Sequence, residues 1–201
     1  MSRCQLGSTV FAAARYVLAV VLAAALAGAA ALAQQPGSDS RPPPEVLDGL
    51  LGQLHQAEDE ASAKAIERAV WKAWMRSGSP TVDLLVQQAE KAMAESQHRI
   101  AISILTTAIE LRPDFAEVWN RRATVYYLDR QFKRSLDDAE RVLELEPRHF
   151  AALAGLGVLH RELGDKRAAL DAFRRALAIH PHLPMARRAV RELELEVEQD
   201  I

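Results

Sequence analysis

Apolar side chains recur every three or four residues along most of this chain, and breaks in that rhythm mark where helices end. The stretch 150–182, FAALAGLGVLHRELGDKRAALDAFRRALAIHPH, reads as two amphipathic helices with a turn at Gly164-Asp165 and a stop at Pro181. Gly157 in the first and Ala169 in the second stand where two helices of one hairpin would cross closely. Upstream, Leu47, Leu50, Leu51 and Leu54 share one face of a predicted helix over 45–56. Ile66, Ala69, Val70, Ala73 and Trp74 do so over 59–76, which stops at Ser77-Gly78. After Pro184, Ala186, Ala189, Val190, Leu193 and Val197 mark one further helix. Its other face carries Arg187, Arg188, Arg191, Glu192, Glu194, Glu196 and Glu198, the polar exterior a terminal cap needs.

The pattern returns with a fixed period. Pro113, Pro147 and Pro181 are spaced by 34 residues, which predicts stacked helical hairpins. With position 1 at Val82, Ala116 and Phe150, position 4 holds Leu85, Trp119 and Leu153, all large. Position 8 holds the small residues Ala89, Ala123 and Gly157, and position 20 holds Ala101, Ser135 and Ala169. Leu105, Ala139 and Phe173 occupy position 24; Ala108, Val142 and Ala176 occupy position 27. These columns resemble the tetratricopeptide repeat family, whose pattern is Trp-x2-Leu-Gly-x2-Tyr, then Ala-x3-Phe, then Ala and Pro. Trp119, Ala123 and Tyr126 match its first half in the middle unit; Leu156, Gly157, Ala169, Phe173, Ala176 and Pro181 match it in the last. Gln88, Ala92 and Ala139 depart from the pattern, and Arg122 at position 7 is similar to an Asn-Arg variant of the family.

The resemblance implies an all-α, right-handed superhelical solenoid of helix-turn-helix hairpins, with an N-terminal helical hairpin and a C-terminal capping helix. The organisation expected is a signal peptide over 1–33, a Pro/Ser-rich linker over 34–44 and a hairpin over 45–79, followed by repeats over 80–115, 116–149 and 150–183 and the cap over 184–201. The 45–79 hairpin is either a decayed repeat or an N-terminal cap. Trp71 and Trp74 are expected to pack it against the first repeat, the alternative being an aromatic platform for a ligand. Ser79 is the expected N-cap of the first repeat, with Pro80 at its first helical position and Asp83 in the first turn. Asp114 and Glu117 form an acidic capping-box variant for the second.

The chain's beginning changes the picture of where it works. Arg3 and Arg15 precede the apolar run 16–33, which ends in the small-x-small sequence Ala31-Leu32-Ala33. Cleavage after Ala33 is expected, giving an exported bacterial protein of the periplasm or the medium; the alternative keeps 16–33 as a single-pass inner-membrane anchor with 34–44 as its tether. Cys4 is the one cysteine, so the mature chain holds neither a disulfide nor a thiolate nucleophile. Loss of Arg3 and Arg15 takes the net charge from -2 to -4, and no dense basic face suggests nucleic acid as a partner.

Catalytic motifs are missing: there is no glycine-rich phosphate loop, no His-Glu-x-x-His and no Gly-x-Ser-x-Gly. No metal or other cofactor is expected, Pro181 of His180-Pro181-His182 being the repeat-ending residue. His160 is expected to be packed and hydrogen-bonded rather than catalytic. What remains is a surface. The resemblance assigns the concave face to positions 2, 5, 9 and 12, hence Val86, Glu90, Met93, Asn120, Thr124, Tyr127, Val158 and Arg161, with Asp83, Glu117, Ala151 and Ala154 beside them. That trough suits an extended peptide or a partner helix. It lacks the Lys and Asn constellation by which some chaperone-binding members of the family clamp a C-terminal carboxylate. The expected function is a non-enzymatic adaptor or scaffold holding a protein or peptide partner. The rivals are a membrane-anchored envelope assembly factor and a cryptic hydrolase or metal-binding protein.

Overall fold

The computed structural model describes residues 41–199; the expected signal peptide and most of the linker lie outside the described residues. Every regular element described is a helix: α1 (Pro44–His55), α2 (Glu60–Trp74), α3 (Pro80–Ala94), α4 (His98–Leu111), α5 (Ala116–Leu128), α6 (Phe132–Leu145), α7 (Phe150–Glu162), α8 (Lys166–Ile179) and α9 (Pro184–Gln199). The pairs α3/α4, α5/α6 and α7/α8 stack in chain order as an all-α solenoid, and α9 packs on α8.

Local chemistry fixes most helix starts. Asp59 accepts from the Ser62 N–H at 2.7 Å, and Ser62 Oγ accepts from the Asp59 N–H at 3.3 Å, closing a capping box on α2. Ser79 caps α3 and Asp165 caps α8, each accepting an amide three residues on. The start of α5 differs from expectation. Its N-cap is Phe115, without a side-chain hydrogen bond, so the Asp114/Glu117 capping box does not form. Asp114 is taken by two guanidiniums, Arg112 at 3.1 Å and Arg41 at 2.7 Å, which neutralise its charge where a cap would offer only a dipole. Arg112, joined by Arg41, holds its carboxyl at about 2 against the opposing effect of burial. Glu117 turns inward instead.

Within each repeat the same residue makes the turn. Ser96, Arg130 and Gly164, all at position 15, have φ of 56°, 57° and 82°. Only the glycine adopts that left-handed conformation without a Cβ–carbonyl conflict.

The small column sits where the helices cross. Ala89 and Ala123 are buried, and a Cβ added to Gly157 would lie 2.7 Å from the Phe173 ring. Repeat three therefore pairs no side chain at position 8 with the largest at position 24, a volume exchange that keeps the core at close packing. In repeat two both positions are alanine. There Arg122 fills position 7, donating to both Asp138 carboxylate oxygens at 2.8 and 2.9 Å and to Thr106 Oγ1 at 3.0 Å. Burial opposes its charge, but the forked pair with Asp138 outweighs that and raises the Arg122 pKa.

The α1–α2 hairpin does not follow the repeat register. Leu51, Leu54, Ala63, Val70 and Trp74 pack with Phe150 of the third repeat, flanked by Ala151, Ile179 and Leu183. Trp71 and Trp74 meet His149 and Phe150, so their expected packing against the first repeat is not what forms. The reason is complementarity: Phe150 is the one large aromatic at position 1, where the other repeats have Val82 and Ala116.

Candidate interaction surface

The residues expected to line the inner surface fall into three groups. Val86 is withdrawn into a core with Val82, Ala108, Ile109, Phe115 and Val118 and presents no surface to a partner. Its place on the face between α3 and α4 explains this. Glu90, Met93, Asn120, Tyr127 and Val158 are half-buried, whereas Thr124 and Arg161 are exposed. Met93 leans on the Ala89–Leu105 core, Tyr127 stands 5.7 Å from Phe132, and Val158 packs beside Leu153 and Phe173. Thr124 Oγ1 is turned back to the Asn120 carbonyl, and Arg161 reaches Glu192 of α9 at 3.5 Å. Glu90 and Asn120 are drawn into one polar chain with Arg121 and Glu117.

That chain runs from a partly exposed Glu90 to a buried Glu117 and meets the N-terminal hairpin where Arg121 touches Met75. Glu117 is 3% exposed and takes Arg121 Nε at 3.1 Å and Asn120 Nδ2 at 3.1 Å, while Arg121 Nη1 reaches Glu90 at 2.5 Å. His149 Nε2 lies 3.3 Å from Glu117 Oε2, and its Nδ1 accepts the Ala152 amide at 3.1 Å, which places the ring proton on Nε2 and makes His149 the cap of α7. Trp74 stacks on the His149 ring at 4.0 Å and 9°. Such a stack contributes about 0.5–1.5 kcal/mol beyond its buried area.

The hairpin runs along the solenoid rather than across its end. Asp114, Arg148 and His182 stand at the same register position in successive repeats. Arg41 pairs with Asp114 at 2.7 Å, Asp48 with Arg148 at 2.8 Å, and His182 Nε2 meets the Ala57 carbonyl at 2.9 Å. The rungs advance along the N-terminal segment by seven and then nine residues. Then α2 returns along the inner rim, with Glu67 beside His180, Trp74 over His149 and Met75 Sδ against Arg121 at 2.8 Å.

Satisfaction of polar groups is poorest at this junction. Trp74 Nε1, Arg121 Nε, His180 Nδ1 and His180 Nε2 are the buried side-chain atoms without a hydrogen bond among the described residues. Each such group costs about 1–3 kcal/mol. Arg121 Nε is within ion-pair distance of Glu117 but outside hydrogen-bond geometry. Burial pushes the His180 imidazole below its ordinary value, and Glu67, at 3.5 Å, pulls the other way.

Known proteins carry the same architecture. Residues 114–181 match the tetratricopeptide repeat family profile. A "TPR repeat-containing protein" of Rhizobium etli is 40% identical over 142 residues, which cover 71% of this chain and 70% of that protein. The chain belongs to the tetratricopeptide repeat family. Among its other relatives, the yeast small glutamine-rich tetratricopeptide repeat-containing protein 2 is 30% identical over 47% of this chain but only 28% of its own length. The tetratricopeptide repeat domain of Aspergillus fumigatus Sgt2 shares the fold with a TM-score of 0.58 at 22% identity, over 61% of this chain and 82% of that domain. The first such domain of Spaghetti (RPAP3), bound to an HSP90 peptide, gives 0.58 at 18% identity, over 60% and 95%.

The rim residues carry little local signal in the sequence. His149 occupies position 34, where the other repeats have Phe115 and Leu183. A polar residue in an apolar column was the available signal. His180 and His182 do not converge on a metal: one faces Glu67 and the other the Ala57 carbonyl, and no cluster suited to a metal occurs among the described residues. His160 is half-buried on α7. One shallow depression of about 300 Å3 is lined by Ser96, His98, Arg99 and Asp129, and another of about 370 Å3 by Gln53, Gln56, Asp59 and Ser62; neither includes an inner-surface residue.

Proposed function

We propose that this tetratricopeptide repeat protein is a non-enzymatic adaptor that holds an extended peptide or a helix of a partner protein on its inner surface. The reading rests on one contrast. At the rim Glu117 is buried with Arg121 and His149 and Ala151 packs against the protein's own hairpin, while Thr124, Tyr127 and Arg161 further along α5 and α7 stay open to solvent to different degrees. An open strip with a hydroxyl, an aromatic ring and a guanidinium offers hydrogen bonds and apolar contact together. The Spaghetti domain, similar in fold, was solved with an HSP90 peptide, which supports peptide binding as the mode and leaves this chain's ligand to its own side chains.

Export to the periplasm is part of the same proposal, supported by Arg3, Arg15, the apolar run and Ala31-Leu32-Ala33. No helix among the described residues is long and apolar enough to cross a membrane. Mass measurement of the exported chain tests it: a chain beginning at Gln34 supports cleavage, and an intact one favours the anchored alternative.

The groove is tested by a photo-crosslinking amino acid placed at Tyr127 or, as an outer-face control, at Lys133. A discrete adduct at Tyr127, lost when Asn120→Ala and Arg161→Glu are added, supports the groove. Equal labelling at both sites, with helicity unchanged, overturns it.

A further inference from the structure

We infer that the surface beneath α2 is a second docking site, selective for an amphipathic helix with two aromatic side chains three residues apart and an acid four before the first. Glu67, Trp71 and Trp74 of α2 are that motif, held in the resting protein as an intramolecular occupant. This goes beyond the groove reading, because the site is built from different residues: Glu117, Arg121, His149, Phe150 and His180.

Three observations make the occupant exchangeable rather than fixed. All four buried side-chain atoms that lack a hydrogen bond among the described residues lie at this junction, so opening it gives each of them a partner in water. Of the three rungs beside α1, two are partly exposed, Arg41 and Asp114 at 38% and 52% and Asp48 and Arg148 at 57% and 45%, while Leu51 and Leu54 of α1 pack with Phe150. Rungs of that kind contribute little each and are screened by salt. The base of the hairpin, by contrast, is pinned. Ser77 is buried and donates its hydroxyl to Asp83 Oδ1 at 2.5 Å and accepts the Ser79 amide at 3.0 Å, so bending falls at Met75–Arg76, between α2 and a fixed anchor on α3. A helix tethered to its site by two residues, Met75, which itself touches Arg121, and the exposed Arg76, competes with a partner at high effective concentration.

The charge pattern defines what fits. A carboxylate must meet His180, as Glu67 does at 3.5 Å, and a flat ring must cover His149, as Trp74 does at 4.0 Å. Trp71, edge-on to Trp74, His149 and Phe150 at 5.5–6.0 Å, fixes the spacing between them. An acidic helix without aromatics would bury the same Arg121 and His180 nitrogens and gain no ring contact.

The test uses a fluorescent peptide of residues 58–76 and the full chain carrying Cys4→Ser, Asp48→Cys and Arg148→Cys, with the two new thiols either free or bridged by a short bis-maleimide. The free-thiol chain is expected to bind the peptide, and Asp48→Arg in the otherwise unaltered chain to bind it at least tenfold more tightly than wild type. Bridging should abolish binding, and a Trp74→Ala peptide should fail to bind any form. Equal binding to bridged and unbridged chains would place the peptide elsewhere and overturn the inference. So would no binding to Asp48→Arg, provided circular dichroism shows a folded chain. Hydrogen exchange gives a second readout: amides of α2 should exchange faster in Asp48→Arg and be protected again by the peptide. None of these outcomes depends on whether Tyr127 and Arg161 hold a partner, so the two sites succeed or fail separately.

Discussion

The first and third repeats have the same register and opposite surroundings. At position 3, Leu84 is 54% exposed, whereas Val118 and Ala152 are 0% and 2% exposed because the preceding repeat covers them. Nothing among the described residues does this for the first repeat, and Ile100 and Leu111 of α4 are exposed as well. The third repeat is covered twice, by Ala186, Ala189 and Leu193 of α9 on one side and by the α1–α2 hairpin along its rim. The difference teaches that sequence order does not set which end a flanking element protects. The hairpin precedes the first repeat in the chain but buries its leucines and tryptophans where a large ring, Phe150, receives them.

The strongest way to break this comparison is Phe150→Ala. It removes the side chain shared by the hairpin and the third repeat, and should cost about 3–5 kcal/mol, the usual range for a buried phenylalanine. A denaturant midpoint close to that of the wild type would mean the hairpin does not depend on this contact. Gly157→Leu comes next, expected to cost about 1–3 kcal/mol or more from overpacking against Phe173. An unaltered melting temperature would show that the crossing of α7 and α8 can open.

Acid should act on the hairpin selectively. His180 faces Glu67 from α2, His182 from the turn after α8, and the Phe150 ring, and its imidazole is held below the ordinary value of 6.5. The unfolded chain therefore takes up the proton first. The associated stability is complete above about 6.5 and is lost as the pH falls through the lowered folded value. Relative to the intrinsic exchange rate at each pH, protection of the α2 amides should fall as the pH drops from about 7.5 through 6.5 and do so less in His180→Phe; identical profiles would remove His180 as the cause.

Smaller effects sharpen the contrast. Arg130→Gly relieves a left-handed residue at φ 57°, and should stabilise by up to about 1 kcal/mol once the greater freedom of the unfolded chain is subtracted. A loss of stability would mean that the cation–π contact of Arg130 with Phe132, at 5.9 Å, outweighs the strain. Leu84→Ala should change stability by no more than about 0.5 kcal/mol, as for other uncovered positions. A much larger loss would show that the open face of the first repeat is covered in solution.

The repeat architecture was legible because it is local and periodic. Ala89, Ala123 and Gly157 are small because helices cross there, and Pro113, Pro147 and Pro181 end each unit, so columns alone carried the fold. The inner surface was legible only in part. The column of Val86 points to the groove, but a position bordering two helices can tilt either way, and this one faces the core. Asp114 and Glu117 have the spacing of a cap, yet Arg41 and Arg112 captured the first and the rim network the second. Arg41 lies 73 residues from Asp114, and no local rule reaches that far.

By itself, then, the order of residues determined that this chain would fold as stacked helical hairpins, where each would turn and where paired helices would cross, since those outcomes depend on neighbours three, four and 34 positions away. Tertiary structure alone decided that the leading hairpin would lie along the inter-repeat edge, that His149, beside the buried Glu117, would be stacked beneath Trp74, and that no described residue would cover Leu84 of the first repeat. Those outcomes depend on which distant surfaces are complementary in shape and charge, and such surfaces exist only after the helices have assembled.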